Sequence, residues 1–141
     1  MIAMVHDSTS EYYSPHTRIL LLTPPPVGEA QRNADLASRN PPRQPDREWN
    51  NTKAYADAVI EVGTGMPRVG VVNMWEAIWG AAGEDVARLP VFLSDGLHLT
   101  VAGYQVSKFL QNMVSNSAES ASDCISRNNE GHREHIPRGA L

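Results

Sequence analysis

Short, continuous runs of apolar residues stand out in a chain that is otherwise largely polar. Two of them, at residues 18–23 and 69–73, are rich in Ile, Leu and Val. Runs of this length without alternating polar positions predict strands that are buried on both faces, as in a parallel sheet. Pro24, Pro25 and Pro26 follow the first run at once, and they predict its end because proline has no N–H to donate to a ladder.

A helical period appears between and after these strands. In residues 52–62 and again in residues 101–114, apolar residues recur at spacings of three and four, which predicts a helix in each segment. Thr52 is the expected N-cap of the first one. A shorter helix is predicted from Trp75 to about Gly80, and the apolar residues 1–5 resemble the last turn of an amphipathic helix.

Polar composition marks the remaining segments. Residues 27–51 are rich in Arg, Asn and Pro, and they predict a long loop of the kind that is usually functional or disordered. The predicted domain covers residues 1–115, and residues 116–141 are expected to be a disordered polar tail because they have almost no large apolar side chains. The residues expected in the core are Ile19, Leu21, Tyr55, Val59, Val71, Trp75, Leu97 and Phe109.

The order strand, helix, strand, loop, helix is typical of an α/β fold with parallel strands. Two parallel strands do not complete a sheet, however, since such strands need helices on both faces and neighbours at both edges. The pattern therefore predicts one end of a larger doubly wound domain. We also expect self-association through the exposed edge of the sheet.

Composition and charge narrow the class of protein. The net charge is −4 and no basic stripe alternates with aromatic residues, so a nucleic-acid partner is not expected. The longest aliphatic run, Ile19–Leu22, is too short to span a bilayer, and the N-terminus lacks the order of a secretory signal. A single cysteine fits a reducing compartment. These features together predict a soluble, cytoplasmic protein.

The stretch Asp95-Gly96-Leu97-His98 carries the candidate chemistry. An imidazole acts as a general base when a carboxylate bonded to Nδ1–H fixes its orientation and tautomer. Asp95 and His98 lie three residues apart, and Gly96 lets the chain turn tightly enough for the pair to form within one loop. The alternative interpretation is that Asp95 caps a turn while His98 packs on the following helix. Cys124, His132 and His135 match no compact zinc-ligand spacing, so neither a metal nor a cofactor is expected.

The sequence resembles the C-terminal part of the SGNH (GDSL-type) hydrolases, in the branch of isoamyl acetate-hydrolysing esterases. Three stretches carry the resemblance: residues 19–27 (ILLLTPPPV), residues 55–58 with 71–75 (YADA and VVNMW), and residues 92–99 (FLSDGLHL). It implies the C-terminal part of a flavodoxin-like three-layer α/β/α fold with the N-terminal half missing. It also implies an ester hydrolase that acts on short-chain acyl or acetate esters, with His98 as general base and Asp95 orienting it.

The nucleophile of that family, in a Gly-Asp-Ser motif, has no counterpart here. His6-Asp7-Ser8 imitates the motif, but no strand precedes it, so Ser8 is expected to be a connector residue. Ser94 lies too close in the chain to reach Nε2 while Asp95 occupies Nδ1, and it is expected to be a turn hydroxyl. Two hypotheses follow: an ester hydrolase that uses a serine with His98 and Asp95, or an inactive truncated paralogue or gene-model fragment that acts as an interaction partner.

Overall fold

The structure, a computed structural model, describes residues 2–114. Its elements, in chain order, are α1 (Ile2–His6), β1 (Ile19–Leu22), α2 (Glu29–Ser38), α3 (Trp49–Gly63), β2 (Val69–Val72), α4 (Met74–Ala81), a 3-10 helix (Val86–Val91) and α5 (residues 101–114). No helix in this part of the chain has the length and apolar character that a bilayer crossing needs.

The sheet of the described region consists of β1 and β2, which pair in parallel. Ile19 lies opposite Val69 and Leu22 opposite Val72, and the ladder continues from Thr23 N–H to the Val72 carbonyl at 3.0 Å. The predicted α/β class and the two predicted parallel strands are therefore confirmed. The crossover between them contains α2 and α3, as a parallel connection requires.

Helices cover both faces of this two-stranded sheet. A Cβ placed on Gly63, at the end of α3, would meet the side chains of Val71 and Leu21. A Cβ on Gly70 would meet Leu20 and Val114, and Val114 belongs to α5. Because successive strand side chains point to opposite faces, α3 and α5 lie on opposite sides of the sheet.

The best-packed core lies on the face of the sheet that α5 covers, next to the carboxyl end of β2. Its buried members are Val72, Met74, Ile78, Ala82, Leu89 and Leu93. Val106, Leu110 and Val114 of α5 pack against this cluster from one side. The core thus packs β2, α4, the 3-10 helix and α5 together. The segment that follows Leu93 is therefore attached directly to this core.

The prediction of one long loop over residues 27–51 is wrong, because α2 occupies part of it. Ala, Glu, Gln and Arg are good helix formers, but α2 buries only Leu36 and Arg32, so no apolar stripe reveals it in the sequence. The helix predicted for 52–62 is present but begins at Trp49. Its N-cap is Glu48 rather than Thr52, whose hydroxyl donates to the Glu48 carbonyl.

The predicted core is correct in part. Trp75 is buried, and Ile19, Leu21, Val59, Val71 and Leu97 are half-buried. The assignments of Tyr55 and Phe109 to the core are wrong, since these residues are 65% and 66% exposed. Each lies on an apolar helix position that no other described element covers, and periodicity alone does not tell a covered apolar face from an uncovered one.

Candidate functional site

The loop that contains Asp95 and His98 is closed at its base by backbone hydrogen bonds. Leu93 and Leu99 form an isolated antiparallel bridge. Ser94 N–H donates to the His98 carbonyl at 2.8 Å, and Thr100 N–H donates to the Phe92 carbonyl at 2.9 Å. Because Leu93 is fully buried in the core, these bonds fix the loop to the rigid part of the fold.

The predicted hydrogen bond between Asp95 and His98 is present. The Asp95 Oδ2 and His98 Nδ1 atoms are 2.9 Å apart. The other carboxylate oxygen, Oδ1, accepts the backbone N–H groups of Leu97 at 3.0 Å and of His98 at 2.8 Å. The Asp95 carboxylate therefore closes its own turn and binds the imidazole at the same time.

Gly96 makes the turn possible. Its φ of 80° lies in the left-handed region, and a Cβ there would come within 2.5 Å of the Gly28 carbonyl oxygen and 2.6 Å of the Arg32 nitrogen. The Gly28 N–H also donates to the Gly96 carbonyl at 2.9 Å. The backbone at the start of α2 thus packs directly against the loop, and a glycine is required at this point.

The electrostatic state of Asp95 follows from its surroundings. Burial raises the pKa of the carboxyl, but the hydrogen bonds from the His98 N–H, the His98 ring and the Leu97 N–H outweigh burial. The net result is a pKa well below the ordinary value. Asp95 is consequently ionised at neutral pH and presents a negative charge to Nδ1.

The His98 side chain is 70% exposed, in contrast to the 17% exposure of Asp95. The imidazole borders an open groove of about 630 Å³, whose other walls include Leu22, Tyr104 and Lys108. No hydrogen-bond partner of Nε2 is found among residues 2–114. The alternative in which His98 packs its ring on the following helix is therefore wrong, although Asp95 does cap the turn.

The serines of the described region take different places. Ser94 Oγ donates to the His98 carbonyl at 3.2 Å, which is the turn role predicted for it. Ser8 is exposed in the connector after α1. Ser107, which was not predicted as a site residue, borders the same groove as His98, but it is 6% exposed and its hydroxyl accepts from Gln111 Nε2 at 2.8 Å.

Polar groups also connect the carboxyl ends of the two strands. Thr23 is buried, and its hydroxyl oxygen accepts the Trp75 N–H at 3.0 Å. Asn73 caps α4 by accepting the Glu76 N–H at 3.1 Å. The Asn73 amide therefore has a structural task, and the structure assigns it no place in the Asp95–His98 pair.

The remaining candidates from the sequence do not join the pair. Trp49, at the start of α3, packs its ring against Trp75 at 4.7 Å and Trp79 at 4.9 Å between centroids, in edge-to-face geometry, and so belongs to a tryptophan cluster. Cys124, His132 and His135 lie outside the described residues, as does the predicted tail. Within residues 2–114, no group of His, Cys, Asp and Glu has the arrangement of a metal site.

Two charged residues that touch this site were not predicted from the sequence. Arg32 donates from Nη1 to Asp95 Oδ2 at 2.9 Å, and Asp46 binds the other side of the same guanidinium. Both residues lie in the segment that was predicted to be a loop. The available signal was the helix-forming composition of α2 together with the spacing of Arg32 and Asp35, which are three residues apart.

No family model, no curated protein and no solved structure matches this chain.

Proposed function

We propose that Asp95 and His98 are the acid–base half of a serine-type carboxylic ester hydrolase of the SGNH (GDSL) kind. The observation that carries the proposal is the 2.9 Å contact of Asp95 Oδ2 with His98 Nδ1, beside a ring that is 70% exposed. A carboxylate bonded to one ring nitrogen and an accessible second nitrogen are the two features that a general-base histidine needs.

The proposed chemistry runs through Nε2 of His98. A serine hydroxyl gives its proton to Nε2 while its oxygen attacks the ester carbonyl, and Asp95 stabilises the imidazolium that forms. The imidazolium then protonates the leaving alkoxide, which departs as the alcohol and leaves an acyl-serine. Water attacks the acyl group with His98 again as base, and the acid and the free serine are released.

In this proposal the serine comes from sequence that the printed chain does not contain. Gly-Asp-Ser is absent from residues 1–141. Among the described serines near the site, Ser94 and Ser107 already have hydrogen-bond partners within the protein. The proposal includes the fold that the resemblance implies, in which β1 and β2 belong to a flavodoxin-like sheet whose other strands carry the nucleophile.

The lining of the groove at His98 suits a small, weakly polar substrate. Leu22, Leu97 and Leu99 contribute apolar walls, while Tyr104 and Lys108 place polar groups at its margin. Apolar walls with a few polar groups are typical of sites that bind small organic ligands. Short-chain acyl esters, including acetates, fit this description, and they are the substrates that we propose.

The test compares the 141-residue chain with a protein extended by the coding sequence immediately upstream of Met1. We expect the extended protein to hydrolyse p-nitrophenyl acetate, and the chain alone to be inactive. In the extended protein, His98→Ala and Asp95→Asn should each lower kcat by about 10⁴-fold, as in other serine triads. His16→Ala, a change of an exposed histidine in the connector before β1, is the matched control and should leave the rate unchanged.

An extended protein that lacks esterase activity contradicts the proposal. So does a hydrolysis rate that is insensitive to His98→Ala. Activity of the 141-residue chain alone, abolished by His98→Ala, would keep the pair but place the nucleophile within this chain. An active-site serine probe, such as a fluorophosphonate, would then identify that residue.

A second candidate function, an interaction module without catalysis, is favoured by one observation. An open apolar groove of about 710 Å³ lies beside β1, on the side of α3, and Ile19, Leu21, Val59 and Val62 contribute to its walls. Several of the apolar side chains in its walls are exposed, among them Tyr55, Val62 and Met66, and a contiguous exposed apolar surface of this kind marks an interaction site. This candidate predicts association without hydrolysis in the extended protein.

A further inference from the structure

The Arg32 side chain, which the proposed chemistry does not use, donates four hydrogen bonds to aspartates beside the site. Its side chain is only 6% exposed, and three aspartates, Asp35, Asp46 and Asp95, lie within ion-pair distance of it. The side-chain hydrogen bond to Asp46, followed by the charges of the aspartates, outweighs burial and raises the pKa of the guanidinium. Arg32 therefore stays charged in a nearly water-free position.

Arg32 and His98 share one oxygen atom. Asp95 Oδ2 accepts from Arg32 Nη1 at 2.9 Å and contacts His98 Nδ1 at 2.9 Å. Since Oδ1 is occupied by the N–H groups of Leu97 and His98, all the main acceptor directions of the carboxylate are taken. Within residues 2–114, Arg32 is the one side chain besides the imidazole that binds Oδ2, so without it no second group holds this oxygen in the direction of Nδ1.

The opposite side of the guanidinium is held as firmly. Arg32 Nε donates to Asp46 Oδ1 at 3.1 Å, and Nη2 donates to Asp46 Oδ2 at 2.9 Å. This two-point contact fixes the plane of the guanidinium, so Nη1 has little freedom to leave Asp95. The backbone of Arg32 is held too, because Gly96 packs against its nitrogen atom.

We propose that Arg32 is a positioning residue that acts on His98 through Asp95. By holding Oδ2 in the direction of Nδ1, it selects the ring tautomer with the proton on Nδ1 and leaves Nε2 as the acceptor. This inference rests on the proposed function of the Asp95–His98 pair and adds a residue from α2 to it. A residue that only supports the fold would leave the tautomer unchanged once the fold is retained.

The test is ¹⁵N NMR of the histidine rings in the full 141-residue chain, at a pH where the imidazole is neutral. The tautomer of a neutral imidazole is set by the hydrogen bond that one of its nitrogens makes. In the wild type we expect His98 to carry its proton mainly on Nδ1. In Arg32→Met we expect the Nε2–H form to become at least as abundant as the Nδ1–H form.

Two further variants keep the test decisive. Arg32→Met removes the two-point contact of Asp46 and leaves it only the longer ion pair with Arg47 at 3.9 Å, so the double variant Arg32→Met, Asp46→Asn removes that weakly paired charge and protects the fold. Arg39→Met is the matched control, since Arg39 belongs to the same segment and pairs with Asp35 at 2.7 Å without contacting Asp95. The control should keep the wild-type tautomer, while the double variant should show the same change as Arg32→Met.

Three outcomes overturn the inference. One is a wild-type His98 that does not favour Nδ1–H, and another is a folded Arg32 variant that keeps the wild-type tautomer. The third is a double variant that fails to fold, which would give Arg32 a structural role alone. The tautomer is measured without substrate, so it is independent of the esterase assay. A failed esterase assay does not contradict the role of Arg32, and an unchanged tautomer does not contradict the esterase proposal.

Discussion

The loop of Asp95 and the outer edge of β1 differ in how completely their polar groups are hydrogen-bonded and their surfaces covered. In the loop, both carboxylate oxygens are hydrogen-bonded, and Gly96 is buried against the start of α2. On β1, the Leu20 and Leu22 side chains are 39% and 44% exposed, and no strand of the described region pairs with the far edge. The N–H groups of Ile19 and Thr23 point toward β2, so those of Leu20 and Leu22 point outward.

This difference teaches that the two regions have different requirements. The Asp95–His98 geometry comes from a self-closed turn and one helix, both of which lie within residues 2–114. The outer edge of β1 presents the N–H groups of Leu20 and Leu22, which no strand of the described region pairs, and such an edge is open to pairing with another strand. The pair can therefore hold its geometry although β1 has no strand partner at its outer edge in the described region.

The largest expected effect on stability comes from disturbing the close packing of α2 against the loop at Gly96. Gly96→Ala should lower the free energy of unfolding by about 3 kcal/mol or more, because the new Cβ meets backbone atoms that have no room to move. Gly65→Ala is the matched control, since its φ of 78° is similar but nothing lies within 4 Å of the new Cβ. It should cost about 1 kcal/mol.

Urea unfolding of both variants measures this difference. Equal costs for the two substitutions would show that backbone conformation alone, rather than the close approach of α2, explains the glycine. In that event the loop would be less tightly held than the contrast with β1 requires.

Residues of the loop were the easiest to predict from sequence, because a turn with Asp, Gly and His at fixed spacing is local chemistry. The two strands and the later helices were also accessible, since their apolar patterns reflect burial. α2 was missed because it buries an arginine and a leucine rather than an apolar stripe, so its helix-forming composition and the spacing of Arg32 and Asp35 were the available signals. Arg32 reaches Asp95 across 63 positions of the chain, and no local pattern reports such a contact.

The exposure of Tyr55 and Phe109 was missed because, unlike in α2, an apolar helical pattern is present but is not covered. Both occupy apolar positions of well-formed helices, and the pattern predicts that such positions are covered. Whether a second element covers them depends on the rest of the sheet and its layers. A helical period therefore indicates which face is apolar, and only the tertiary structure shows what lies on it.

At the β1 edge, Leu22→Lys should weaken self-association. A lysine on an edge strand disfavours pairing with another chain, and we expect the association constant to fall by about tenfold or more. Sedimentation velocity over a range of micromolar concentrations measures it. Val91→Lys places the same charge on another exposed apolar residue, 57% exposed in the 3-10 helix, and should change association much less.

A wild-type chain that is monomeric throughout the concentration range would contradict this prediction. Equal effects of Leu22→Lys and Val91→Lys would also contradict it, because they would indicate a general effect of charge. Loss of association in Leu22→Lys alone would assign the contact to the sheet edge.

The smallest expected effect is the loss of folding stability when Asp95 is protonated in acid. Because the pKa of Asp95 is lowered in the folded state, its contribution to stability is complete above the unfolded-state value of about 3.9 and is lost as the pH falls toward the folded-state value. We expect a loss on the order of 1 kcal/mol from this group between neutral pH and pH 3. Urea unfolding at a series of pH values measures it.

Asp95→Asn should be less stable than the wild type at neutral pH and should lose less stability in acid. Asp57→Asn, which removes a carboxylate that is 57% exposed on α3, is the control and should retain the wild-type acid response. An Asp95→Asn variant with the full acid response would show that other carboxylates carry it.

The aromatic cluster has an optical consequence. The chain has three tryptophans, Trp49, Trp75 and Trp79, and the two ring pairs at 4.7 and 4.9 Å place all of them at the junction of α3 with α4. Intrinsic fluorescence of the protein therefore originates almost entirely from that junction, with energy transfer among the indoles. A change in emission reports first on the separation of α3 from α4, and signals from the sheet edge or from the histidine loop require a label placed there.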